Sequence, residues 1–426
     1  MRKFYNLWAG DVVSDIGTAS FWFIVPVLAV EIMDVPDSQL GLLLGIAGFI
    51  PSILSMSIGA IADRTTSYWA MHACNILRAI AMGALAWAAW TENLSLVLMG
   101  ALMLITDLAS NYYDSMIVSI TPRIVAKHQL TKANSLVESA SAVTSDIGNT
   151  LAGVAYSRFG GYPIIAANAL SYLYASISLA IFVRPADCRA VRAKRIDAPN
   201  RGLAHLADLK FNFDLLRKYP LLIHFMLAIG LYNMSWGFIG TLLTPFALEN
   251  LGLEVWQLGL LSVPSIVVGI CAPLVTHKIL ARLGAFRSLA LTYAMGTVGY
   301  ALVAIAMFFG RFSVFSVALG LILVGICAIV GLVIDRTARQ ALIPHERLAG
   351  VSGLVRTVTW GIEPVGAVVA GYLSSDLIGR VPALCVAAGL CGAALWIIFR
   401  SRMHDYRTVD ALLCVAEPKT STSETV

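Results

Sequence analysis

The feature that most constrains this chain is a succession of apolar runs, each about 20 residues long and separated by short polar turns. A helix that crosses the hydrocarbon core of a bilayer needs about 20 such residues. The runs fall at 8–31, 39–61, 71–90, 94–119, 136–156, 162–183, 220–247, 256–276, 287–309, 313–334, 349–373 and 380–399, which makes twelve spans. Hydrophobic residues make up 58% of the chain and charged residues 13%, against about a quarter charged in soluble domains. A soluble enzyme of this composition would have no polar surface to present. The basic, then apolar, start "MRKFYNLWAGDVVSDIG" imitates a signal peptide, but Asp11 and Asp15 interrupt it and the run continues to about Val30, so it reads as a retained first span.

Charge gives the orientation. With the N-terminus in the cytoplasm, the outer loops contain only Arg158, Arg311 and Arg380 of the 30 Lys and Arg, and collect Asp34, Asp37, Glu92, Glu249, Glu254 and Asp376. An odd number of spans would scramble that bias, so the positive-inside rule predicts twelve spans in the inner (cytoplasmic) membrane with both ends inside. The net charge of +5 reflects this orientation, and no nucleic-acid partner is expected. The seven cysteines are scattered without a C-x-x-C pair, which argues against disulfides or a zinc site. No P-loop, zinc-protease histidine pair or G-x-S-x-G elbow is present, so neither ATP-driven transport nor an enzyme is expected.

One basic hydrophilic stretch, 184–219, divides the chain, and a polar tail follows at 401–426. The predicted units are therefore an N-terminal six-helix bundle (1–183), a cytoplasmic linker lying partly along the membrane surface (184–219), a C-terminal six-helix bundle (220–400) and a cytoplasmic tail. The bundles repeat one another. "QLGLL" occurs at 39–43 and 257–261, and "IGNTLAGV" at 147–154 aligns with "VGAVVAGY" at 365–372, both pairs 218 residues apart. Parallel halves related by an axis along the membrane normal are a transporter architecture, with the substrate site between them near the midplane. Gly41, Gly45 and Gly48 suit close helix contact.

A charge at mid-bilayer costs about 2.5–3.5 kcal/mol on insertion scales, so the acids inside the spans need water or partners. Asp107, Asn111 and Asp114 follow at i, i+4 and i+7 in span 4 and form one polar stripe. Either they line a wet cavity and exchange protons as access alternates, or one of them pairs with Arg78 of span 3 as a fixed brace. Asp15, Thr18 and Trp22 share a face of span 1, with Asp11 nearer the inner boundary. Span 5 carries Glu138, close to that boundary and suited to a cap or brace, and the deeper Asp146. Span 11 carries Arg356, Trp360 and Glu363 on one face, and span 7 offers Tyr232, Asn233 and Trp236 without a charge. Trp22, Tyr112, Tyr113, Tyr232, Asn233, Trp236 and Trp360 are candidates for contact with a planar or amphipathic substrate, the aromatics by stacking, or else pack against lipid and neighbouring helices. Asp335, Arg336 and Arg339 suit local ion pairing.

The loop "GAIADRTTSYWAM" (59–71) resembles the span 2–3 loop of the major facilitator superfamily, matching at Gly59, Ala62, Asp63 and Arg64, with Ser67 and Tyr68 in place of its second basic cluster. "LWAGDVVSDIG" (7–17), "TPRIVAKHQLTKANSL" (121–136) and "RTARQALIPHERLAGVSGLVRTVTWGIEPVGAVVAG" (336–371) are similar to the branch of macrolide and siderophore (enterobactin-type) exporters, although Gly148-Asn149 stands where such exporters often have Gly-Pro. The resemblance implies an all-α fold of twelve helices in two bundles, with spans 1, 4, 7 and 10 lining a central cavity. It also implies a charge latch in which Asp63 meets Arg356, with Gly59, Arg64 and Arg78 nearby. The expected protein is a monomeric, proton-coupled secondary exporter of a small amphipathic or polar organic molecule, needing no cofactor beyond the proton gradient. An importer or facilitator in the same fold is the alternative, and a non-transporting sensor or scaffold the second.

Overall fold

A computed structural model of the chain describes residues 2–65, 68–126, 129–185, 211–343 and 345–401, apart from some side chains within them. The backbone is helical almost throughout, as hydrocarbon requires: with no water to bond, each peptide group must find its partner inside its own helix. The first group of helices is α1 (Arg2–Glu31), α2 (Asp37–Thr65), α3 (Tyr68–Trp90), α4 (Leu96–Ile124), α5 (Leu130–Phe159) and α6 (Tyr162–Phe182). The second is α7 (Pro220–Pro245), α8 (Val255–Leu260), α9 (Val263–Ala304), α10 (Ser313–Leu342), α11 (His345–Gly361), α12 (Glu363–Tyr372) and α13 (Arg380–Arg400).

Among the described residues, nine segments are long and apolar enough to cross a membrane unaided. The three remaining crossings are α5, the second limb of α9 and the pair α11–α12, which together complete twelve. Helix α5 is rich in polar residues. Helix α9 turns at Gly284, whose φ of 77° is open to glycine at no steric cost, so spans 8 and 9 meet without a loop. The span expected at 349–373 is broken at Ile362, because Pro364 brings no N–H and crowds the preceding turn. Asn233 Nδ2 of α7 donates to the Thr359 carbonyl beside that break, at 2.7 Å.

In the first group α1 packs between α5 and α6, α4 between α2 and α3, and α3 against α6, while α1 and α4 touch only sparsely. In the second, α7 packs on α12 and α13, and α9 on α10 and α13. Phe225, Phe238 and Tyr300 are fully buried there, and Ile24, Leu28 and Met82 in the first group.

The groups meet along two seams, α2 against α12 and α5 against α8 and the start of α9. Both are built on glycine, and both show the same register. A Cβ on Gly41 would stand 2.5 Å from the Ala367 carbonyl and 3.1 Å from Gly371 Cα. A Cβ on Gly259 would stand 3.0 Å from the Asn149 carbonyl and 2.9 Å from Gly153 Cα. Gly41 and Gly259, Ala367 and Asn149, and Gly371 and Gly153 are all 218 residues apart. The repeat read from the sequence is thus a pair of equivalent helix crossings in space. Gly45 and Gly48 continue the first seam against Val368 and Pro364. The Gly41–Gly371 and Gly259–Gly153 contacts lie at one end of the bundle, where α2 and α8 begin and α5 and α12 finish.

Candidate functional site

The rotation of α1 decides which of its side chains face water. Gly17 abuts Ser171 and Asn168 of α6, where a Cβ would stand 2.5 and 2.8 Å from their oxygens. Ser20 Oγ donates to the Gly148 carbonyl of α5 at 3.0 Å, and Thr18 Oγ1 and Tyr172 Oη of α6 are hydrogen-bonded at 2.8 Å. These ties set Val13, Ile16, Gly17 and Ser20 toward a shallow groove between α5 and α6. Asp11 and Asp15 turn toward α4 instead, where Asp11 accepts from Tyr113 Oη and Asp15 lies near Asp114. Because α1 and α4 hardly touch, a gap separates them, and the solvent-exposed Asp15 and Asp114 line it.

Arg78 of α3 is the cation of this region and is only 4% exposed. Its guanidinium lies 4.5 Å from the ring centre of Tyr113 and 4.4 Å from that of Tyr172, contacts worth about 0.5–2 kcal/mol each. It donates to Ser110 Oγ at 3.3 Å and to Asn75 Oδ1. Tyr113 Oη donates to Asp11 Oδ1 at 2.8 Å. Among the described residues the ion pairs are Asp335–Arg339, Asp37–Arg380 and Glu249–Arg380, so Arg78 is clamped by rings and amides and not by a carboxylate. Asp11, Asp15 and Asp114 all feel its charge, and Asp15 and Asp114 each other's. Three carboxylates thus lie within the field of one guanidinium.

The remaining acids stand apart from that cluster. Asp107 is half-buried on α4, one to two turns further along the stripe. Asn111 Nδ2 bonds back to its backbone carbonyl at 3.0 Å, leaving the Asp107 carboxylate outside that bond. Asp146 on α5 and Glu363 at the start of α12 are also half-buried. The aromatic candidates separate clearly. Trp236 and Trp360 are 41% and 54% exposed, Trp22 and Tyr112 are half-buried, and Arg356 lies 5.3 Å from the Trp360 ring centre.

Two aromatics read as substrate contacts are placed otherwise. Tyr113 is buried beneath Arg78. Tyr232 packs edge-on against Tyr293 and Tyr300, and its hydroxyl donates to the Val324 carbonyl at 3.1 Å. Asn233 is committed to Thr359. In each case a partner on another helix claims the polar tip, which helical spacing does not reveal. The side chains of Asp63, Arg64 and Glu138, and the surroundings of Gly59, lie outside the described residues, as does residues 186–210 of the expected linker. Asp335 and Arg339 pair at 2.5 Å, as their i, i+4 spacing predicts. The sequence reading missed the clamp made by Asn75, Ser110 and Tyr172, since none of them is charged.

The family model described as Major Facilitator Superfamily matches residues 7–363. Macrolide efflux protein A of Streptococcus pyogenes is 25% identical to this chain over 180 residues, 42% of this chain and 44% of that protein. The match therefore spans less than half the length of the curated relative. Among solved structures, a mutant of the nucleoside transporter NupG superposes with a TM-score of 0.74 at 14% identity, covering 93% of this chain and 99% of that one. A bacterial homologue of the iron transporter ferroportin, in an inward-facing state, gives 0.70 at 17% identity, covering 94% and 98%. At these identities the likeness is one of fold.

Proposed function

Since this chain belongs to the major facilitator superfamily and is a multi-pass membrane transporter, we propose that it is a secondary exporter that moves a small amphipathic or polar organic molecule out of the cytoplasm in exchange for protons. The observation that carries this reading is the row of acids on the facing sides of α1 and α4, with Asp15 and Asp114 exposed and, among the described residues, no arginine bridge on any of them. Acids buried for structure alone are paired. Acids left open beside a single shared cation are suited to take up a proton or a cationic group and to release it.

The two glycine seams close one end of the bundle. With both chain ends in the cytoplasm, as the basic residues indicate, the closed end is the outer one and the vestibule between the groups opens inward. Substrate enters beside Asp15 and Asp114, with Trp22, Tyr112, Trp236 and Trp360 offering ring faces to its apolar parts. The groups then rock about the site, the inner end closes and the seams part. A proton arriving from outside neutralises an acid, weakens its hold on the substrate and returns the site inward. One proton crossing 100 mV supplies about 2.3 kcal/mol, so the membrane gradient takes the place of a cofactor. The chain is proposed to act as a monomer, since both bundles and the vestibule come from one chain.

The efflux direction is supported by the similarity to macrolide efflux protein A. Its test is whole-cell accumulation of fluorescent or radiolabelled macrolides, siderophores and organic cations, with and without an uncoupler. Cells bearing the protein are expected to hold less of the substrate than control cells, and to lose that difference when uncoupled. Higher energised accumulation than in control cells would make it an importer.

A further inference from the structure

The two seams that close the bundle share one backbone register but not one chemistry. On the first, Arg380 at the start of α13 meets Asp37 at the start of α2 in a two-pronged ion pair, Nε to Oδ2 at 2.7 Å and Nη2 to Oδ1 at 2.9 Å. The same guanidinium donates Nη1 to Glu249 at 2.6 Å and to Asn250 at 3.2 Å. Asp37, only 5% exposed, also accepts from Ser374 Oγ at 2.5 Å, and Ser38 N donates to Ser375 Oγ at 2.9 Å. Glu249 and Asn250 lie in the π turn Phe246–Asn250, and Ser374 and Ser375 in the π turn Leu373–Ile378. These widened turns bring their side chains to Arg380.

The second seam has none of this. The positions 218 residues from Asp37 and Arg380 are Val255 and Tyr162. The counterpart of Glu249 is Glu31, which accepts from Tyr156 Oη of its own group at 2.7 Å. The counterpart of Ser38 is Trp256, whose Nε1 donates to Glu254 of its own group at 2.7 Å. One hydroxyl crosses this seam, from Thr150 to the Gly259 carbonyl at 3.2 Å.

We propose that Arg380 is a one-sided latch on the closed end, anchored to Glu249 and Asn250 within the second group and hooked to Asp37 of the first, and that it sets how readily this end opens. When the groups part, Arg380 keeps its anchor and Asp37 loses every one of its partners named here. The second seam, held by glycine packing and the Thr150 hydroxyl, parts without breaking a charge pair among the described residues. Bidentate guanidinium–carboxylate pairing is the strong form of such a contact, and here it lies on the side that holds only three of the 30 basic residues. The cation at position 380 is neutralised on both flanks.

The proposal rests on the reading of the chain as an alternating transporter, and its test does not require a substrate. In full-length protein in membranes, with the native cysteines replaced, Ser38→Cys with Ser375→Cys reports the first seam. Ser157→Cys with Trp256→Cys, the equivalent positions, reports the second. Disulfide formation within both pairs is expected to be rapid. Asp37→Asn or Arg380→Gln should slow crosslinking several-fold at both seams, and Glu249→Gln should slow it less. Should Asp37→Asn fail to accumulate, Val255→Asp with Tyr162→Arg builds the missing latch on the second seam and is expected to raise crosslinking there and to slow transport. Wild-type crosslinking rates in both Asp37→Asn and Arg380→Gln, or no change on building the second latch, overturn the proposal. A latch that responds as expected in a protein that moves no tested substrate would keep the latch and remove the transport reading.

Discussion

The two groups of helices share a fold and a repeat, yet their interiors differ in kind. The first holds Asp11, Asp15, Asp107, Asp114 and Asp146 with a buried arginine. The second buries Tyr232, Tyr293 and Tyr300 on one another, with Cys327 and Cys391 packed against Gly296, where a Cβ would stand 3.1 and 3.2 Å from their sulfurs. Its acids in the membrane are Asp335, paired with Arg339, and Glu363. Pseudo-symmetry therefore does not distribute the chemistry equally. Under the proposed exchange the more apolar second group is the wall against which the acids of the first change protonation, and the seams join the two.

Substitutions break this comparison most sharply where the groups differ most. Asp107→Asn, isosteric and uncharged, is expected to reduce uncoupler-sensitive efflux to that of cells without the protein while leaving its amount in the membrane unchanged; efflux at the wild-type rate would take Asp107 out of the proton path. Next in size is Arg78→Ala. It removes the cation that Asp11, Asp15 and Asp114 share among the described residues and should destabilise the purified protein by about 3–5 kcal/mol, read as a lowered melting temperature in detergent. Arg78→Lys should recover only part of this, because an ammonium lacks the planar face that stacks between Tyr113 and Tyr172. Glu363→Gln tests the second group at its most polar point and should slow transport several-fold without abolishing it. A complete loss there, equal to that of Asp107→Asn, would make the groups equal partners in proton handling. The smallest effect is expected from Tyr300→Phe. Its hydroxyl is buried beside Tyr232, so its removal should change stability by no more than about 1 kcal/mol and leave transport intact.

Much of the architecture was legible in the sequence because the bilayer imposes it. Apolar length gave the spans, and the offset between "QLGLL" and its copy placed Gly41 and Gly259 at equivalent crossings. The failures have local causes. Gly284 and Pro364 change how spans 8, 9 and 11 are built without altering the apolar pattern. The stripe Asp107–Asn111–Asp114 was visible from helical spacing, and so was the common face of Asp15 and Trp22. The uncharged clamp on Arg78 was not, since Asn75, Ser110 and Tyr172 come from three helices and carry no signal alone. Tyr232 and Tyr113 read as open ring faces, because periodicity places a residue on a helix but says nothing of the neighbour that covers it. Arg380 did leave a trace, as one of three basic residues on the side where few are expected, but its partners became visible only in three dimensions.

The central claim is that the acids of α1 and α4 face water shared by both groups. Asp15→Cys and Asp114→Cys, each in a cysteine-depleted background, test it directly by alkylation with a membrane-impermeant thiol reagent, using Val13→Cys and Leu151→Cys on the groove side as controls. The account predicts rapid labelling of positions 15 and 114 from the cytoplasmic side only, with positions 13 and 151 unreactive to the same reagent. Positions 15 and 114 that resist the reagent from both sides, or react only with lipid-soluble reagents as the controls do, would contradict it.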